Sequence, residues 1–220
     1  MTATVYFDLD GTLLEYTRPF DELFARTLPD GVDATESMVK TYSDRVLAAL
    51  DDLEDDPYER AFAAVCREYD VPGDPAALAD EYVETEVAAT RVPETTRRLV
   101  ELVAREHRAG VLTNGDGRMQ RRKLTAHGLD DLVESVVVSN EFGARKPASE
   151  IFEHAKAELP AETFVYVGDT FEEDIVPARE CGFETVYVGD DARTEATLTV
   201  ADLDDLAAVL RPLLDGTTSS

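Results

Sequence analysis

The sequence contains few of the residues that build disulfide-linked, membrane-spanning or nucleic-acid-binding proteins. Only two cysteines occur among 220 residues, which excludes a disulfide framework and is typical of an intracellular protein with reduced thiols. Every uninterrupted apolar segment falls well short of the roughly 20 residues that a membrane helix needs, and no basic and apolar leader precedes the first strand-like segment. We therefore expect a soluble, cytoplasmic protein with no membrane partner.

Basic residues are also scarce. The chain has 21 Lys and Arg against 47 Asp and Glu, which gives a formal net charge of −26. Such a surface repels nucleic acids and anionic membranes, so we expect neither as a partner. The acidic residues are interleaved with 44% hydrophobic residues, which distinguishes the chain from a disordered acidic tail.

This acidic but hydrophobic composition is typical of a folded protein from a halophile, in which molar salt screens charge repulsion to within about 3 Å. We therefore predict a halophilic protein. Unfolding on dilution into low salt would support that hypothesis, and stability that is independent of salt would contradict it. The oligomeric state cannot be deduced from the sequence.

Strand-like and helix-like segments alternate through most of the chain. This alternation predicts an α/β fold with a Rossmann-like parallel sheet and helices on both faces. The predicted strands are Thr4 to Leu9, Ala109 to Thr113, Val133 to Ser139, Thr163 to Val167 and Glu184 to Val188. The helices predicted for this alternating part of the chain are Pro93 to Arg108, Gly117 to His127, Ser149 to Glu158, Glu172 to Glu180 and Val200 to Leu214.

Residues 16 to 91 interrupt this alternation of strands and helices, because they contain several helical patterns and no convincing strand. The patterns start near Pro19, Asp33, Pro57 and Pro75, each with a cap residue or a proline suited to the first turn. We therefore predict an all-helical cap domain at 16–91, inserted into an α/β core domain formed by 1–15 and 92–215. Residues 216–220 are expected to form a flexible tail.

Polar side chains follow four of the predicted strands, and in a parallel α/β sheet ligands bind at the carboxyl ends of the strands. Two unit charges about 4 Å apart repel each other by about 4 kcal/mol at an effective dielectric constant near 20, so clustered carboxylates need a cation. Hard oxygen ligands favour Mg²⁺, and an ammonium beside them suits a phosphoryl group. The residues concerned are Asp8, Asp10 and Gly11 after the first strand, Thr113 and Asn114 after the second, Lys146 after the third, and Asp169 and Asp174 after the fourth.

Four short segments carry a family resemblance. "DLDGT" with both aspartates, "VLTNG", "RKP" and "VGDTFEED" resemble, in order and in position, the four motifs of the haloacid dehalogenase-like (HAD) hydrolase superfamily. The resemblance covers about two-thirds of the chain. A helical insertion between the first two motifs is similar to the cap of the phosphoglycolate-phosphatase-like subgroup.

The resemblance implies a Mg²⁺-dependent phosphatase that acts on a small phosphorylated metabolite. Asp8 is the implied nucleophile, forming an aspartyl-phosphate, and Asp10 is the implied general acid and base. The implied phosphoryl-binding residues are Thr113, Asn114 through its backbone N–H, and Lys146. The implied metal-binding residues are Asp8, Asp10 through its backbone carbonyl, Asp169 and, behind them, Asp174, which would orient Lys146 or a metal-bound water.

Several alternatives remain open at this stage. A haloacid dehalogenase needs the nucleophile but neither a metal nor a second aspartate, so Asp10 and Asp169 argue against it. A phosphomutase uses the same groups as a phosphatase, and a phosphonate hydrolase would need a cap lysine, for which Lys40 is the only candidate. A phosphoryl-receiver module gains nothing from an acid and base at Asp10. The substrate is not identified, and the cationic candidates for a second anionic group on it are Arg18, Lys40, Arg45, Arg60 and Arg91.

Overall fold

The structure is a computed structural model that describes residues 3–190 and 195–203, together with residues 206 and 210. A parallel sheet of six strands lies at its centre, in the order β5-β4-β1-β6-β7-β8. The strands of this sheet are β1 Ala3–Phe7, β4 Arg108–Thr113, β5 Ser135–Val138, β6 Thr163–Gly168, β7 Glu184–Val188 and β8 Leu198–Val200. The predicted fold class and its first five strands are confirmed.

The central strand β1 explains why helices cover both faces of the sheet. All five of its residues are buried, as expected for a parallel strand between two layers of helices. Successive side chains alternate between the faces: Val5 and Phe7 belong to one hydrophobic cluster with Leu99, and Tyr6 belongs to another with Phe152. The core helices are α5 Glu94–Glu106, α6 Gly117–Ala126, α7 Ser139–Phe142, α8 Ser149–Glu158 and α9 Val176–Glu180.

Three elements of the core differ from the sequence prediction. The short helix α7 was not predicted, and it begins at Ser139, where the prediction still had a strand. The helix predicted from Glu172 is an α-helix only from Val176, because a π-helical turn, Phe171–Ile175, precedes it. The sixth strand, β8, occupies the position where the prediction began a helix at Val200. A strand of three residues is too short to show a period. Most of that predicted helix lies outside the described residues, although Leu203, Leu206 and Leu210 are buried in the core.

Four helices occupy the segment between β1 and the core helix α5, which confirms the predicted helical insertion. Their side chains form a hydrophobic cluster of their own, in which the rings of Phe24, Tyr42, Phe62 and Tyr82 pack at centroid distances of 4.7–6.0 Å. The helices are α1 Phe20–Thr27, α2 Glu36–Asp51, α3 Pro57–Tyr69 and α4 Pro75–Ala88.

The second of these helices begins later than the sequence pattern indicates. The pattern placed its start near Asp33, but the Thr35 hydroxyl caps the helix by accepting a hydrogen bond from the Met38 amide at 3.3 Å. A threonine in this position satisfies one of the amides that the first turn leaves without a partner. Asp33 therefore lies in the connection before the helix.

A short antiparallel ribbon joins the helical insertion to the sheet. It consists of β2 Glu15–Tyr16 and β3 Thr90–Arg91, at the two places where the chain was predicted to leave and re-enter the core. Strands of two residues show no alternation, so the sequence did not reveal them. The exact domain boundaries stay a prediction. Across the described ranges, every helix is too short or too polar to traverse a bilayer.

Candidate active site

The loop after β1 is held tightly against the sheet. The Asp8 amide donates a hydrogen bond to the Val167 carbonyl at 2.9 Å, so the sheet pairing continues one residue beyond β1. Gly11 then adopts a φ of +81°, and a Cβ at this position would lie 2.2 Å from a carboxylate oxygen of Asp169. Only glycine combines this backbone conformation with such a close approach. The turn therefore brings the first motif against the end of β6.

Three carboxylates and one ammonium meet at the carboxyl ends of the strands. Oxygens from Asp8, Asp169 and Asp174 all lie within 4.8 Å of one another. The Lys146 Nζ lies 2.9 Å from Asp8 Oδ1 and 2.5 Å from Asp174 Oδ1. One ammonium thus faces three carboxylates, which leaves an excess of negative charge in a largely buried site.

The surroundings shift the ionisation of this cluster. Burial raises the pKa of Asp8 to about 7, although the adjacent Lys146 ammonium lowers it and the Asp174 carboxylate raises it further. Burial and the Asp174 charge also raise the pKa of Asp169. Burial disfavours the charged form of Lys146, but attraction to Asp8 and Asp174 raises its pKa overall. A divalent cation would relieve this repulsion, and the donor set, composed only of oxygens, suits Mg²⁺.

Asp174 is held by several hydrogen bonds beneath the cluster. Its Oδ1 accepts hydrogen bonds from Lys146 Nζ and from the Tyr166 hydroxyl at 3.1 Å, and its Oδ2 accepts one from the Thr170 amide at 3.0 Å. The side chain is fully buried. The π-helical turn that contains Asp174 therefore fixes the position of the Lys146 ammonium beside Asp8.

The residues after β4 hold Lys146 from the other side. The Asn114 side chain donates to the Lys146 carbonyl at 3.0 Å and accepts from the Lys146 amide at 2.9 Å. The sequence analysis predicted a role for Asn114 only through its backbone N–H. Thr113 is buried at the end of β4, and its hydroxyl oxygen accepts a hydrogen bond from Gln120 Nε2 at 3.0 Å.

A second polar network, which the sequence prediction missed, surrounds Asp10. The Lys123 Nζ lies 2.9 Å from Asp10 Oδ1 and 2.7 Å from Glu86 Oε1, and it donates to the Tyr16 hydroxyl at 2.7 Å. Gln120 Nε2 donates to Asp10 Oδ2 at 2.8 Å. Burial disfavours the ionised form of Asp10, but the attraction of Lys123 and these hydrogen bonds hold its pKa below the usual value.

This network joins the helical insertion to the core. Glu86 lies on α4 of the insertion, whereas Lys123 lies on α6 of the core, and both side chains are at most 6% exposed. Two exposed ion pairs, Arg118 with Asp80 and Arg122 with Glu84, run between the same two helices. The sequence offered one signal for this network. Gln120 and Lys123 are three residues apart, which places both on one face of the helix that follows the second motif.

A cavity of about 430 Å³ adjoins Asp10 and extends under the helical insertion. The described residues that line it include none of the cationic residues expected from the sequence to contact a second anionic group. Four of those residues form ion pairs elsewhere: Arg18 with Glu22, Lys40 with Asp44, Arg60 with Glu54 and Arg91 with Glu15. The fifth, Arg45, is exposed on α2.

We expect Mg²⁺ to raise the unfolding temperature, because it neutralises the repulsion between the clustered carboxylates. A ligand at 100 times its dissociation constant contributes about 2.7 kcal/mol, equivalent to roughly 5–10 °C for a chain of this size. Asp169→Asn should unfold at a higher temperature than the wild type in EDTA and lose most of the response to Mg²⁺. Thermal unfolding at matched ionic strength measures both effects, and equal Mg²⁺ shifts in the two proteins would contradict a metal site that includes Asp169.

The fold and the acidic site together define a hydrolase with a Rossmann-like core and a helical cap. The chain belongs to the haloacid dehalogenase-like hydrolase family, whose family model matches residues 2–182. This match confirms the resemblance carried by the four sequence motifs and shows that the chain is an enzyme of that family. The catalytic role of each residue in the site remains a proposal.

Relatives with curated names include several phosphatases. The glyceraldehyde 3-phosphate phosphatase of Methanothermobacter thermautotrophicus is 30% identical over 203 residues, which cover 89% of each chain. The ribulose-1,5-bisphosphate 5-phosphatase of Halopiger xanaduensis is 36% identical over 129 residues, covering 57% of this chain and 54% of that protein. The family relationship thus extends to enzymes named for phosphorylated sugars.

Solved structures share the fold. The HAD-hydrolase YfnB from Bacillus subtilis, bound to magnesium, matches with a TM-score of 0.73 and 22% identity over 96% of this chain and 99% of that one. The 2-haloacid dehalogenase from Pseudomonas syringae matches with the same TM-score, 24% identity and the same coverage. At these identities the similarity shows the fold alone, because dehalogenases and phosphatases share it.

Proposed function

We propose that the protein is a Mg²⁺-dependent phosphatase that hydrolyses a small phosphorylated sugar or related metabolite. The observation that carries this proposal is the largely buried cluster of Asp8, Asp169 and Asp174, which a single ammonium from Lys146 does not neutralise. A dehalogenase needs a nucleophilic aspartate but no cation site, so this excess of carboxylates favours phosphoryl transfer. The phosphatase names of the curated relatives support the same choice.

In the first step of the proposed reaction, a carboxylate oxygen of Asp8 attacks phosphorus and the bond from phosphorus to the leaving oxygen breaks. Asp10 gives a proton to that leaving oxygen, which departs as an alcohol. Lys146, 2.9 Å from Asp8, and the hydroxyl of Thr113 would stabilise the charge on the phosphoryl oxygens, assisted by the Asn114 amide. The product of this step is an aspartyl-phosphate on Asp8.

In the second step, Asp10 takes a proton from a water molecule that attacks the aspartyl-phosphate. Inorganic phosphate leaves and the Asp8 carboxylate is restored. Hydrogen bonds from Lys123 and Gln120 favour the ionised form of Asp10, which this second step requires, and disfavour the protonated form, which the first step requires. Asp8, the Asp10 backbone carbonyl and Asp169 would hold Mg²⁺, which when bound supplies positive charge against the phosphoryl oxygens.

The experiment that tests this proposal measures inorganic phosphate released from a panel of phosphorylated metabolites, including glyceraldehyde 3-phosphate. We expect release with Mg²⁺ and at least about a hundredfold less in excess EDTA, since losing one preorganised transition-state contact costs about that factor. The assays are run in both dilute and molar KCl, because the net charge of −26 can make folding depend on salt.

Two control substrates separate the alternatives. Halide release from 2-chloropropionate without added metal would contradict the phosphatase proposal in favour of a dehalogenase. A sugar phosphate that is isomerised while little phosphate is released would instead identify a phosphomutase.

A further inference from the structure

The cavity beside Asp10 has a mainly apolar wall. Its lining includes the rings of Tyr42, Tyr58 and Tyr82 and the aliphatic side chains of Val46, Leu47 and Leu50. The Tyr58 and Tyr82 rings stack at a centroid distance of 5.5 Å, and the Tyr42 ring lies 5.1 Å from that of Tyr82. A volume of about 430 Å³ falls in the range of sites for ligands much larger than a triose.

The charged side chains that line the cavity carry a net negative charge. Within the described chain its charged lining residues are Asp10, Glu86 and Lys123. The Lys123 ammonium lies 2.9 Å from the Asp10 carboxylate and 2.7 Å from that of Glu86, so this cation is already shared between two anions. A phosphate or carboxylate group placed in this cavity would meet net negative charge and no available cation.

Two buried polar atoms of the lining residues lack a hydrogen-bond partner among the described residues, namely the Tyr42 hydroxyl oxygen and Gln120 Oε1. Gln120 is 2% exposed, and its Oε1 has no hydrogen-bond partner within the described residues. Its Nε2 donates to Asp10 Oδ2 at 2.8 Å and to the Asn114 carbonyl at 3.0 Å. Both of these atoms can only accept, which fixes the orientation of the amide. The remaining Oε1 is itself buried, so in this conformation it is not accessible to a ligand in the cavity.

We propose that this cavity binds a leaving group that is uncharged and has an apolar ring face, and that it discriminates against a second anionic group on the substrate. This inference rests on the proposed function, in which Asp10 protonates the leaving oxygen and so places the leaving group in the cavity. The substrate class is a phosphate monoester of a neutral, ring-bearing alcohol such as a nucleoside. Bisphosphates and phosphorylated carboxylic acids are excluded from it.

Matched pairs of substrates test the charge part of the proposal. Glyceraldehyde 3-phosphate and 3-phosphoglycerate differ chiefly by one carboxylate, and ribulose 5-phosphate and ribulose 1,5-bisphosphate differ by one phosphate. We expect kcat/KM to be at least about tenfold higher for the neutral member of each pair. Equal or faster turnover of the anionic members would overturn the charge part of the proposal.

A third pair tests the apolar face. Uridine 5′-monophosphate adds an uncharged ring to ribose 5-phosphate, and we expect this addition to raise kcat/KM because the ring buries apolar surface against the tyrosines. A nucleotide that is turned over no faster than the pentose phosphate would overturn this part of the proposal.

A charge-introducing variant gives a test on the protein side. Leu47 lines the cavity and is 60% exposed, so Leu47→Arg adds a cation there without disturbing a core. We expect the ratio of kcat/KM for 3-phosphoglycerate to that for glyceraldehyde 3-phosphate to rise about tenfold, the effect of one charged hydrogen bond. Ala48→Arg makes the same change in net charge at the next exposed position of α2, which is not among the lining residues, and should leave the ratio unchanged.

The outcomes separate this inference from the function on which it rests. Absence of phosphate release from every pair and from p-nitrophenyl phosphate, with folding verified by circular dichroism, would overturn both the phosphatase proposal and the cavity proposal. Phosphate release with a preference for the anionic members, or an equal rise of the ratio in both arginine variants, would overturn the cavity proposal alone.

Discussion

Asp8→Asn is expected to abolish phosphate release, lowering kcat by a factor of at least about 10⁴, the scale seen when a catalytic nucleophile is removed. An amide cannot form the aspartyl-phosphate, whereas the fold should persist because asparagine matches the shape of the buried aspartate. Steady-state kinetics measures the loss. Acid quenching of a reaction with labelled substrate should trap phosphate on the wild-type chain but not on the variant.

A matched substitution controls for the general effect of removing one negative charge. Asp30 is exposed in the connection between α1 and α2, so Asp30→Asn should retain wild-type activity and give the same trapped phosphoprotein. Turnover by Asp8→Asn within about tenfold of wild type would contradict the assignment of Asp8 as nucleophile. It would leave open a direct attack of water on phosphorus.

Lys123→Met is expected to lower the free energy of unfolding by about 3–5 kcal/mol, because it leaves two carboxylates buried without their counterion. Lys123 is 2% exposed in its side chain and lies within 2.9 Å of both Asp10 and Glu86. The loss should shrink as the pH is lowered, because Lys123 holds the pKa of Asp10 below its usual value and this contribution to stability disappears when Asp10 takes up a proton. Equilibrium unfolding in denaturant at several pH values measures both effects.

The control for this prediction is another lysine that forms an ion pair on the surface. Lys40 contacts Asp44 at 2.6 Å, but its side chain is 75% exposed, so Lys40→Met should cost less than about 1 kcal/mol. Equal losses for Lys40→Met and Lys123→Met would show that the network around Asp10 contributes nothing beyond the removal of one positive charge.

The two networks in the site show why some of its parts could be predicted and others not. Asp8 and Asp174 follow strands whose continuous apolar runs are visible in the sequence, and parallel strands bring their carboxyl ends to one edge. Lys123 lies in the middle of a helix, where a lysine is normally a solvated side chain. Nothing local distinguishes it, since its ion partner Asp10 is 113 residues away in the chain.

The substrate side of the site was the least accessible to sequence reasoning. Cationic residues of the insertion appeared to be candidates for a second anionic group, yet most of them form ion pairs outside the cavity. Each such pairing depends on which face of a helix meets its neighbour, and composition cannot show this. The predictions of a halophilic habitat and a cytoplasmic location rest on composition and targeting signals alone, and they stay predictions.

The sequence by itself determined the fold class, the helical insertion and the family. Apolar strand segments, helical periodicity and the four motifs are each formed by residues that are close together in the chain, so they can be recognised without a structure. Only the tertiary structure shows the size of the cavity beside Asp10, the ion pair between Lys123 and Glu86, and the hydrogen bond from the Asn114 side chain to the Lys146 carbonyl. The physical reason is that burial and charge compensation are set by packing between distant segments. The same residue is therefore a solvated lysine on one helix face and a buried counterion on another.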